Sequence, residues 1–278
     1  MLLVGAVGSP SASVIVRARD KERLIGRTLS LLRSQTVEPE IIVVDSGSRD
    51  TTIEIALRFC DRLIELPADR FTYGRALNVG ADAATAPVHF ALSAHCPVER
   101  EDWIERSLAY YERRRDVAAT CGARADPSGR PLGQAFLQDA EHARANPYWG
   151  FSNHASSWRA DIWERFPFDE SLATAEDREW AFRVLADGWL IAFDPELYVD
   201  LFHHWKSGLV AYYRRMKKES EAVSSFSNLP PYRVSDLLRE WWSEMPDTRH
   251  APLLYRLDYR RLVGLVGKYR GERAGDAL

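Results

Sequence analysis

Cysteine is scarce in this sequence, and the cysteines present form no pattern. The 278 residues include three, Cys60, Cys96 and Cys121, which are far apart and form no C-x-x-C pair. An odd number leaves one thiol unpaired in any disulfide scheme, and zinc-finger-like sites need closely spaced pairs. The sequence therefore predicts reduced thiols, with Cys96 as a small buried side chain rather than a nucleophile.

Long apolar runs and an excess of positive charge are also absent. No segment approaches the ~18 consecutive apolar residues that a membrane-spanning helix needs. The opening MLLVGAVGSPSAS has no basic residue before its short apolar stretch, unlike a signal peptide. A formal net charge of -3 gives no reason to expect a nucleic-acid partner. We expect a cytoplasmic protein.

The sequence does contain a repeated alternation of strand and helix patterns. ASVIVRA, EIIVVD, RLIELP and VHFALSA are short apolar runs, and the segments between them carry apolar residues at helical spacing. This alternation predicts an α/β protein with a mainly parallel sheet flanked by helices. Such sheets bind ligands beyond the carboxyl ends of their strands, where Arg17, Arg19, Asp45 and the tripeptide Ser93 to His95 stand.

Four separated segments are more specific together than apart. They are SVIVRARDKERLIGRTLSLLRSQTVEPEIIVVDSGSRDTT, FTYGRALNVGADAA, the strand ending in Ser-Ala-His, and FDESLATAEDREWAFRV. Together they resemble the family 2 glycosyltransferases of the GT-A fold, closest to a bacterial branch with Ser-Ala-His in place of Asp-x-Asp. The resemblance implies a Rossmann-like fold and an enzyme that transfers a sugar from a nucleotide-sugar to an acceptor hydroxyl, with inversion at the anomeric carbon.

The resemblance covers about residues 11–205 and suggests the domain boundaries. We predict a GT-A catalytic domain over residues 1–205, with a nucleotide-binding half at about 11–95 and an acceptor half at 96–205. Residues 206–278 are predicted to form a helical extension that packs on this domain. Its segment LLYRLDYRRLVGLVGKYRGER interleaves apolar and basic residues, so a homodimer contact or a peripheral membrane contact are alternatives.

The resemblance implies that the end of the first strand and the aspartate of the second contact the nucleotide. A carboxylate can accept a hydrogen bond from a pyrimidine N–H, and an arginine can pair with a diphosphate. From the residues alone, shaping the DSGS turn or capping the next helix is the commoner role for Asp45. The predicted nucleotide-binding residues are Val16, Arg17, Ala18, Arg19, Asp45, Arg75, Asn78 and Ser93.

Two departures from the family pattern affect these assignments. The family usually has arginine immediately before Asn78, whereas this chain has Leu77 there and Arg75 two residues earlier, about 200° around a helix. Most GT-A enzymes hold a divalent ion with Asp-x-Asp, and here Ser93 and His95 take those positions. An imidazole ligand favours Mn²⁺ over Mg²⁺.

Two further histidines follow the last predicted strand. Neighbouring side chains on a strand point to opposite faces, so one of the two could face His95. The predicted metal ligands are His95, His203 and His204. The alternative is a metal-independent clamp on the diphosphate, formed by Arg17, Arg19, Arg75 and Lys206.

The acidic pair Glu176 and Asp177 stands at a predicted helix start in TAEDREWAF. An acidic first turn that only stabilises the helix is the simpler interpretation of these residues alone. Inverting transfer needs one base aligned with the acceptor hydroxyl, and the resemblance implies that Asp177 is that base, with Glu176 beside it. Aromatic rings stack on sugars but also fill cores. The predicted acceptor-side residues are Trp149, Trp158 and Trp180.

The predicted donor is a UDP-, GDP- or dTDP-sugar, and the acceptor a growing polysaccharide, a lipid-linked sugar or a small natural product. Two alternatives belong to other functional classes. A non-catalytic sugar-nucleotide-binding protein is favoured by the changed Asp-x-Asp motif and opposed by the retained Glu-Asp pair. A nucleotidyltransferase would normally show a Gly-rich phosphate loop after the first strand, which RARDKERL lacks.

Overall fold

Strands and helices alternate as predicted along the first part of the chain. The computed structural model describes residues 10–200, 208–227, 229, 232–243 and 259–275. The strands are β1 (Ser13–Ala18), β2 (Glu40–Asp45), β3 (Arg62–Glu65), β4 (Val88–Ser93), β5 (Val117–Gly122), β6 (Phe136–Gln138), β7 (Ala155–Arg159) and β8 (Leu190–Asp194). The helices of this part are α1 (Ile25–Arg33), α2 (Thr52–Ala56), α3 (Tyr73–Ala83), α4 (Trp103–Arg113), α5 (Ala140–Ala145), α6 (Ala160–Arg165) and α7 (Glu176–Ala186).

The eight strands within the described residues form a single mixed sheet in the order β3-β2-β1-β4-β7-β5-β8-β6. Strands β1 to β4 pair in parallel, and β5 pairs in parallel with β8. Strand β7 is antiparallel to both β4 and β5, and β6 is antiparallel to β8. Because β7 is reversed, its amino end lies at the edge of the sheet where β1, β2 and β4 end.

Apolar side chains bury both faces of this sheet. In β1, Val14 and Val16 pack into a cluster on one face, and Ile15 packs into a cluster on the other. The alternation follows from the period of two along a strand, and burial on both faces is typical of a parallel sheet covered by helices. The fold class predicted from the sequence is confirmed.

The chain divides into two compact units, one of Met1–Ser171 with Glu176–His203 and one of Leu172–Ala175 with His204–Leu278. The second unit contains the predicted C-terminal helices, α8 (Leu209–Ser227), α9 (Val234–Ser243) and α10 (Tyr259–Gly275). Helix α10 lies so close to α8 that a Cβ atom on Gly271 would stand 2.2 Å from the Lys217 carbonyl oxygen. Among the described residues, no helix has both the length and the apolar character needed to cross a membrane.

Candidate active site

The strand register brings the predicted site residues to one edge of the sheet. Ala18 pairs with Asp45 across β1 and β2, and Arg17 pairs with Ser93 across β1 and β4. The Ser93 main-chain N–H donates to the carbonyl of His154, just before β7, over 2.9 Å. The carboxyl ends of three parallel strands and the amino end of β7 therefore meet at this edge.

Arg17 is a buried cation at the centre of this edge, with 9% of its surface exposed. Its Nη2 donates to the carbonyl oxygen of Asn153 over 2.6 Å, to Asn153 Oδ1 over 2.7 Å and to Ser93 Oγ over 3.3 Å. Its Nε is buried and has no hydrogen-bond partner within the described part of the chain. Burial lowers the pKa of Arg17, while the nearby Glu176 opposes that shift.

The start of α7 joins the same network through Asn153. The main-chain N–H of Asn153 donates to Asp177 Oδ2 over 3.1 Å, and its Nδ2 donates to Glu176 Oε1. Both acidic side chains are buried, with 2% of Glu176 and 8% of Asp177 exposed. Burial, and then the charge of Asp177, raise the pKa of Glu176 to about 8, with Arg17 opposing. Glu176 therefore keeps its proton to a higher pH than an exposed glutamate does.

Asp45 shapes the turn that follows β2. Its Oδ2 accepts from the main-chain N–H groups of Gly47 over 2.9 Å and Ser48 over 2.8 Å, and its Oδ1 accepts from the Ser48 hydroxyl. Gly47 has φ 88°, which favours glycine. This is the turn-shaping role that the sequence allowed, and the nucleotide contact of Asp45 stays a prediction.

The first-strand residues differ in what they can offer a ligand. Val16 is fully buried in the core and pairs with strands on both sides, so its side chain cannot contact a nucleotide. The nucleotide contact of Val16 itself stays a prediction. The carbonyl of Ala18 accepts from the N–H of Ser46 over 3.0 Å. Arg19 is exposed.

Ser93, Ala94, His95 and Cys96 form a tight turn at the end of β4. The Cys96 N–H donates to the Ser93 carbonyl over 2.9 Å, and the Ala94 N–H donates to the Arg17 carbonyl over 3.1 Å. Ser93 thus gives Arg17 a neutral acceptor where an aspartate would add a charge. His95 is half-buried in this turn.

Arg75 and Asn78, on α3, bind another segment of the protein rather than standing free for a nucleotide. Arg75 Nε donates to Glu170 Oε2 over 2.7 Å. Asn78 Nδ2 donates to the Phe168 carbonyl over 2.9 Å and to Glu170 Oε1 over 3.0 Å. Its Oδ1 accepts from Trp163 Nε1 and the Phe168 N–H, both over 3.0 Å. Both N–H groups of the Asn78 amide donate and its oxygen accepts twice, so no hydrogen-bonding position is left for a nucleotide. Asn78 holds the segment Phe168 to Glu170.

Two of the three predicted acceptor-side tryptophans belong to the core. Trp158 and Trp180 have no exposed surface, and both pack against Phe168, with ring centroids 5.2 and 5.4 Å away. A sugar cannot stack on a ring that is already covered, so these two assignments are wrong. Trp149 is half-buried, and its ring lies 4.4 Å from that of Phe193. It stays a predicted acceptor-side residue.

The predicted metal ligands are only partly described. His203 and His204, together with Lys206, lie outside the described residues. Within the described ranges, no group of three His, Cys, Asp or Glu side chains is placed to hold a metal ion. His95 is therefore the described member of the predicted set. Of the arginines proposed for a metal-independent clamp, Arg75 is paired with Glu170.

Asn153 is the site residue that the sequence did not reveal. It stands in the segment FSNHAS, just before a strand whose reversed direction was not predicted. A short loop of mixed polar and aromatic residues gives no periodic signal. The polar residue at the amino end of a reversed strand would have been the signal, had the direction of β7 been known.

A sequence model of the family described as "Glycosyl transferase family 2" matches residues 13–160. The chain belongs to this family. It is 24% identical to the O-antigen chain rhamnosyltransferase RfbN of Salmonella typhimurium over 69% of this chain and 67% of RfbN. It is 30% identical to an uncharacterized glycosyltransferase of Haemophilus influenzae over 40% of this chain. That match spans only 35% of the Haemophilus protein.

Solved structures share the fold at low sequence identity. The mannosyltransferase PcManGT of Pyrobaculum calidifontis, solved with GDP-Man and Mn2+, has a TM-score of 0.62 at 17% identity, over 98% of this chain and 75% of that one. Residues 1–349 of S. aureus TarS, solved with UDP-GlcNAc, have a TM-score of 0.57 at 14% identity, over 96% and 92%. These likenesses confirm the GT-A fold of this family member.

Proposed function

We propose that this family 2 protein is an inverting glycosyltransferase that moves a sugar from a nucleotide-sugar donor to an acceptor hydroxyl. One observation carries the proposal: Asn153 joins Arg17, at the end of β1, to Glu176 and Asp177, at the start of α7. A cation suited to a diphosphate and a carboxylate suited to a hydroxyl thus meet at the edge where α/β sheets bind ligands.

In this proposal Asp177 is the catalytic base. Its carboxylate takes the proton of the acceptor hydroxyl as that oxygen forms a bond to the anomeric carbon. The bond from the anomeric carbon to the diphosphate breaks on the opposite face, and the nucleoside diphosphate leaves with the bonding electrons. Glu176 is the poorer candidate for the base, because burial and the charge of Asp177 raise its pKa and favour its protonated form.

Arg17 is the proposed diphosphate contact, since it places a cation at the carboxyl end of β1, beside Ser93 and Asn153. Arg19 is exposed beside it, and Asp45 is proposed for the nucleoside. The names of two relatives, O-antigen chain rhamnosyltransferases of Salmonella, support a rhamnosyl or related hexosyl donor and a cell-surface polysaccharide acceptor. Lipid-linked and natural-product acceptors belong to the same proposal.

A divalent ion is proposed as a cofactor, with Mn²⁺ preferred. When bound, such an ion offsets charge on the departing diphosphate. The structures of PcManGT and of a mycobacterial glucosyl-3-phosphoglycerate synthase, both solved with Mn2+, support it by likeness of fold. His95 is the ligand we propose among the described residues, with His203 or His204 as partners. The metal-independent alternative is the clamp of Arg17, Arg19, Arg75 and Lys206, in which Arg75 would have to leave its pairing with Glu170.

The second candidate is a sugar-nucleotide-binding protein without turnover, which the replacement of Asp-x-Asp by Ser93 and His95 favours. The two candidates share a donor site and differ in catalysis. Packing of residues 206–278 on the catalytic domain over 1–205, and their dimer or membrane contact, stay predictions.

The test begins with donor binding. UDP-, GDP- and dTDP-sugars, including dTDP-rhamnose, are screened by thermal shift with and without Mn²⁺, because a ligand that binds only the native state raises the Tm. Donors that raise the Tm are then assayed for release of the nucleoside diphosphate and for the anomeric configuration of the product. An inverted product supports the proposal, and a retained configuration contradicts the single-displacement mechanism.

The Asp177→Asn variant separates the enzyme from the binding protein. We expect turnover to fall about 10²- to 10⁴-fold, the usual contribution of a general base, while the donor still raises the Tm. The matched control is Asp161→Asn, which removes an exposed carboxylate paired with Arg159 and should keep its turnover. Donor binding without turnover in the unmodified protein would support the binding protein instead.

A further inference from the structure

Asn153 lies between a buried cation and two buried carboxyl groups. Its Oδ1 and main-chain oxygen accept from Arg17, its Nδ2 donates to Glu176, and its main-chain N–H donates to Asp177. The residue itself is 9% exposed. Arg17 is 136 positions away in the sequence, so this contact joins β1 to the segment that precedes β7.

An amide side chain is suited to this position because it donates and accepts at once. A carboxylate has acceptors only, and an apolar side chain has neither. Facing both a guanidinium and a glutamic acid, the amide satisfies each without adding a charge. Its donor also serves Glu176 whether or not that residue holds its proton, so the hydrogen bond survives a change of pH.

We propose that Asn153 is a positioning residue for glycosyl transfer, whose side-chain amide aligns Arg17 with the Glu176 and Asp177 pair. This inference rests on the proposed function and adds a residue to its machinery. Asn153 acts through its neighbours. It holds Arg17 towards the donor, and it fixes the position of Asp177, at the start of α7, relative to Arg17.

The variant Asn153→Asp gives the inference a signature in pH. With two carboxyl groups facing each other, the bond between positions 153 and 176 survives only while one of them holds a proton. Raising the pH removes that proton, so the variant should lose alignment at alkaline pH whereas the unmodified protein should not. Asn153 contacts Arg17, Glu176 and Asp177, and His154 follows it in the sequence. The other charged and titratable groups that act on this network are Tyr73 and Cys96 near Arg17, Arg178 near Glu176, and Cys121 near Asp177.

A double-mutant cycle removes the need for the shared proton. In Asn153→Asp combined with Glu176→Gln, the amide and the carboxylate exchange places, and the glutamine N–H₂ donates to the new aspartate at every pH. We expect Asn153→Asp alone to lower kcat at least ~10-fold at pH 8.5 and much less at pH 6, with the donor KM changing less than kcat. In the Glu176→Gln background, adding Asn153→Asp should lower kcat about twofold or less, and by the same factor at every pH.

The matched control is Asn146→Asp, which adds the same charge at the end of α5, where the Asn146 amide makes one long bond of 3.4 Å to the His142 carbonyl. Its kcat relative to the unmodified protein should be flat with pH. Melting curves at pH 6 establish that every variant is folded. If Asn153→Asp lowers kcat by the same factor at all pH values, both in the unmodified protein and in Glu176→Gln, the positioning role is wrong.

Tm values of the same variants across pH give a second measurement that needs no activity. The Tm of Asn153→Asp should fall further below that of the unmodified protein as pH rises. The Tm of the double variant, compared with that of Glu176→Gln alone, should show no such pH-dependent loss. If the unmodified protein turns over no donor but this Tm pattern is present, the proposed function fails while the bridging role of Asn153 holds. If turnover is present and neither pattern is seen, only the inference fails.

Discussion

Two buried carboxyl groups in the first compact unit, Asp194 and Glu176, have opposite environments. Asp194 ends β8, is 1% exposed and accepts from Arg106 Nε over 2.7 Å and the Tyr110 hydroxyl over 2.8 Å. Burial would raise its pKa, but the hydrogen bonds, led by that of Arg106, lower it. Glu176 is 2% exposed and faces an amide and a second carboxyl group, and its pKa rises to about 8.

The difference teaches that burial alone does not decide the charge of an acid. A directly bonded cation keeps Asp194 ionised, which makes it a structural anchor between α4 and β8. Asn153 stands between Glu176 and the nearby cation Arg17, and Asp177 is the next residue in the chain. A group held in its less usual protonation state at a ligand-binding edge is typical of an active site.

The largest effect expected from this comparison concerns Glu176→Gln. The folded-state pKa of Glu176 is about 8 and its ordinary value is 4.5, so the folded protein binds the extra proton between these pH values. The free energy of unfolding of the unmodified protein therefore falls as pH rises through this window, by at most ~1.4 kcal/mol per pH unit from this group. Glutamine removes the effect, so the variant should gain stability relative to the unmodified protein as pH rises from 4.5 to 8.

Urea unfolding at several pH values measures this gain. The matched control, Glu164→Gln, replaces an exposed acid and should show no pH-dependent difference. A Glu176→Gln variant whose relative stability does not change with pH would show that Glu176 ionises freely, and the contrast with Asp194 would be lost.

His89 tests whether burial shifts a pKa outside the site. It is 2% exposed on β4, its Nδ1 has no hydrogen-bond partner among the described residues, and burial lowers its pKa to about 4. The unfolded chain takes up a proton near pH 6.5 and the folded chain does not. Stability should thus fall as pH drops from about 6.5 to about 4, by at most ~1.4 kcal/mol per pH unit.

The variant His89→Phe keeps a ring against Trp158 and Trp163 and should flatten this acid-side slope without changing turnover. Chemical denaturation between pH 4 and 7 measures the slope. An unchanged slope in His89→Phe would mean that other groups cause the acid sensitivity.

Asp194→Asn should act in the direction opposite to Glu176→Gln at neutral pH. Loss of the charge weakens the bonds from Arg106 and Tyr110, and we expect a stability loss of about 2 kcal/mol. The freed Arg106 is 38% exposed, so water solvates part of its charge and limits the loss. Thermal and urea unfolding measure this loss. Asp116→Asn, at an exposed ion pair, is the control and should leave the stability almost unchanged. A neutral or stabilising Asp194→Asn would remove its role as an anchor.

The smallest effect should come from a buried polar group with neutral partners. Ser157 Oγ bonds to the hydroxyls of Ser107 and Thr120 over 2.8 Å each and of Tyr111 over 2.6 Å. Ser157→Ala removes three hydrogen bonds but leaves the other hydroxyls able to bond, so we expect a loss of about 1 kcal/mol at every pH. Urea unfolding at pH 6 and 8 checks this. A loss that varied with pH would mean that a group ionising between pH 6 and 8 acts on the cluster.

Much of the fold could be predicted because its signals are local. The apolar runs of β1 to β4 and the helical spacing between them report the backbone period and the buried face directly. The positions of Arg17, Asp45 and Ser93 at one edge followed from parallel pairing. The acidic start of α7 was also visible, because Glu176 and Asp177 stand where a helix begins.

The sequence did not show that β7 runs antiparallel to its neighbours, and it therefore did not show the role of Asn153. Short strands of mixed composition carry no signal for their direction, which depends on pairing with residues far away in sequence. The tryptophans show the same limit, because a ring that can stack on a sugar can equally fill a core. Trp158 and Trp180 lie at 0% exposure, and only the packing around Phe168 decides that.

The sequence by itself determined the order of the first four strands and the helices between them, the edge at which ligands should bind and the acidic helix start, because each depends on neighbouring residues. Only the tertiary structure decided which polar groups meet. Arg17 bonds to Asn153, 136 positions away in the sequence, and Arg75 and Asn78 on α3 bond to Glu170, more than 90 positions away. Hydrogen bonds depend on distances of a few ångströms, which a linear pattern does not contain.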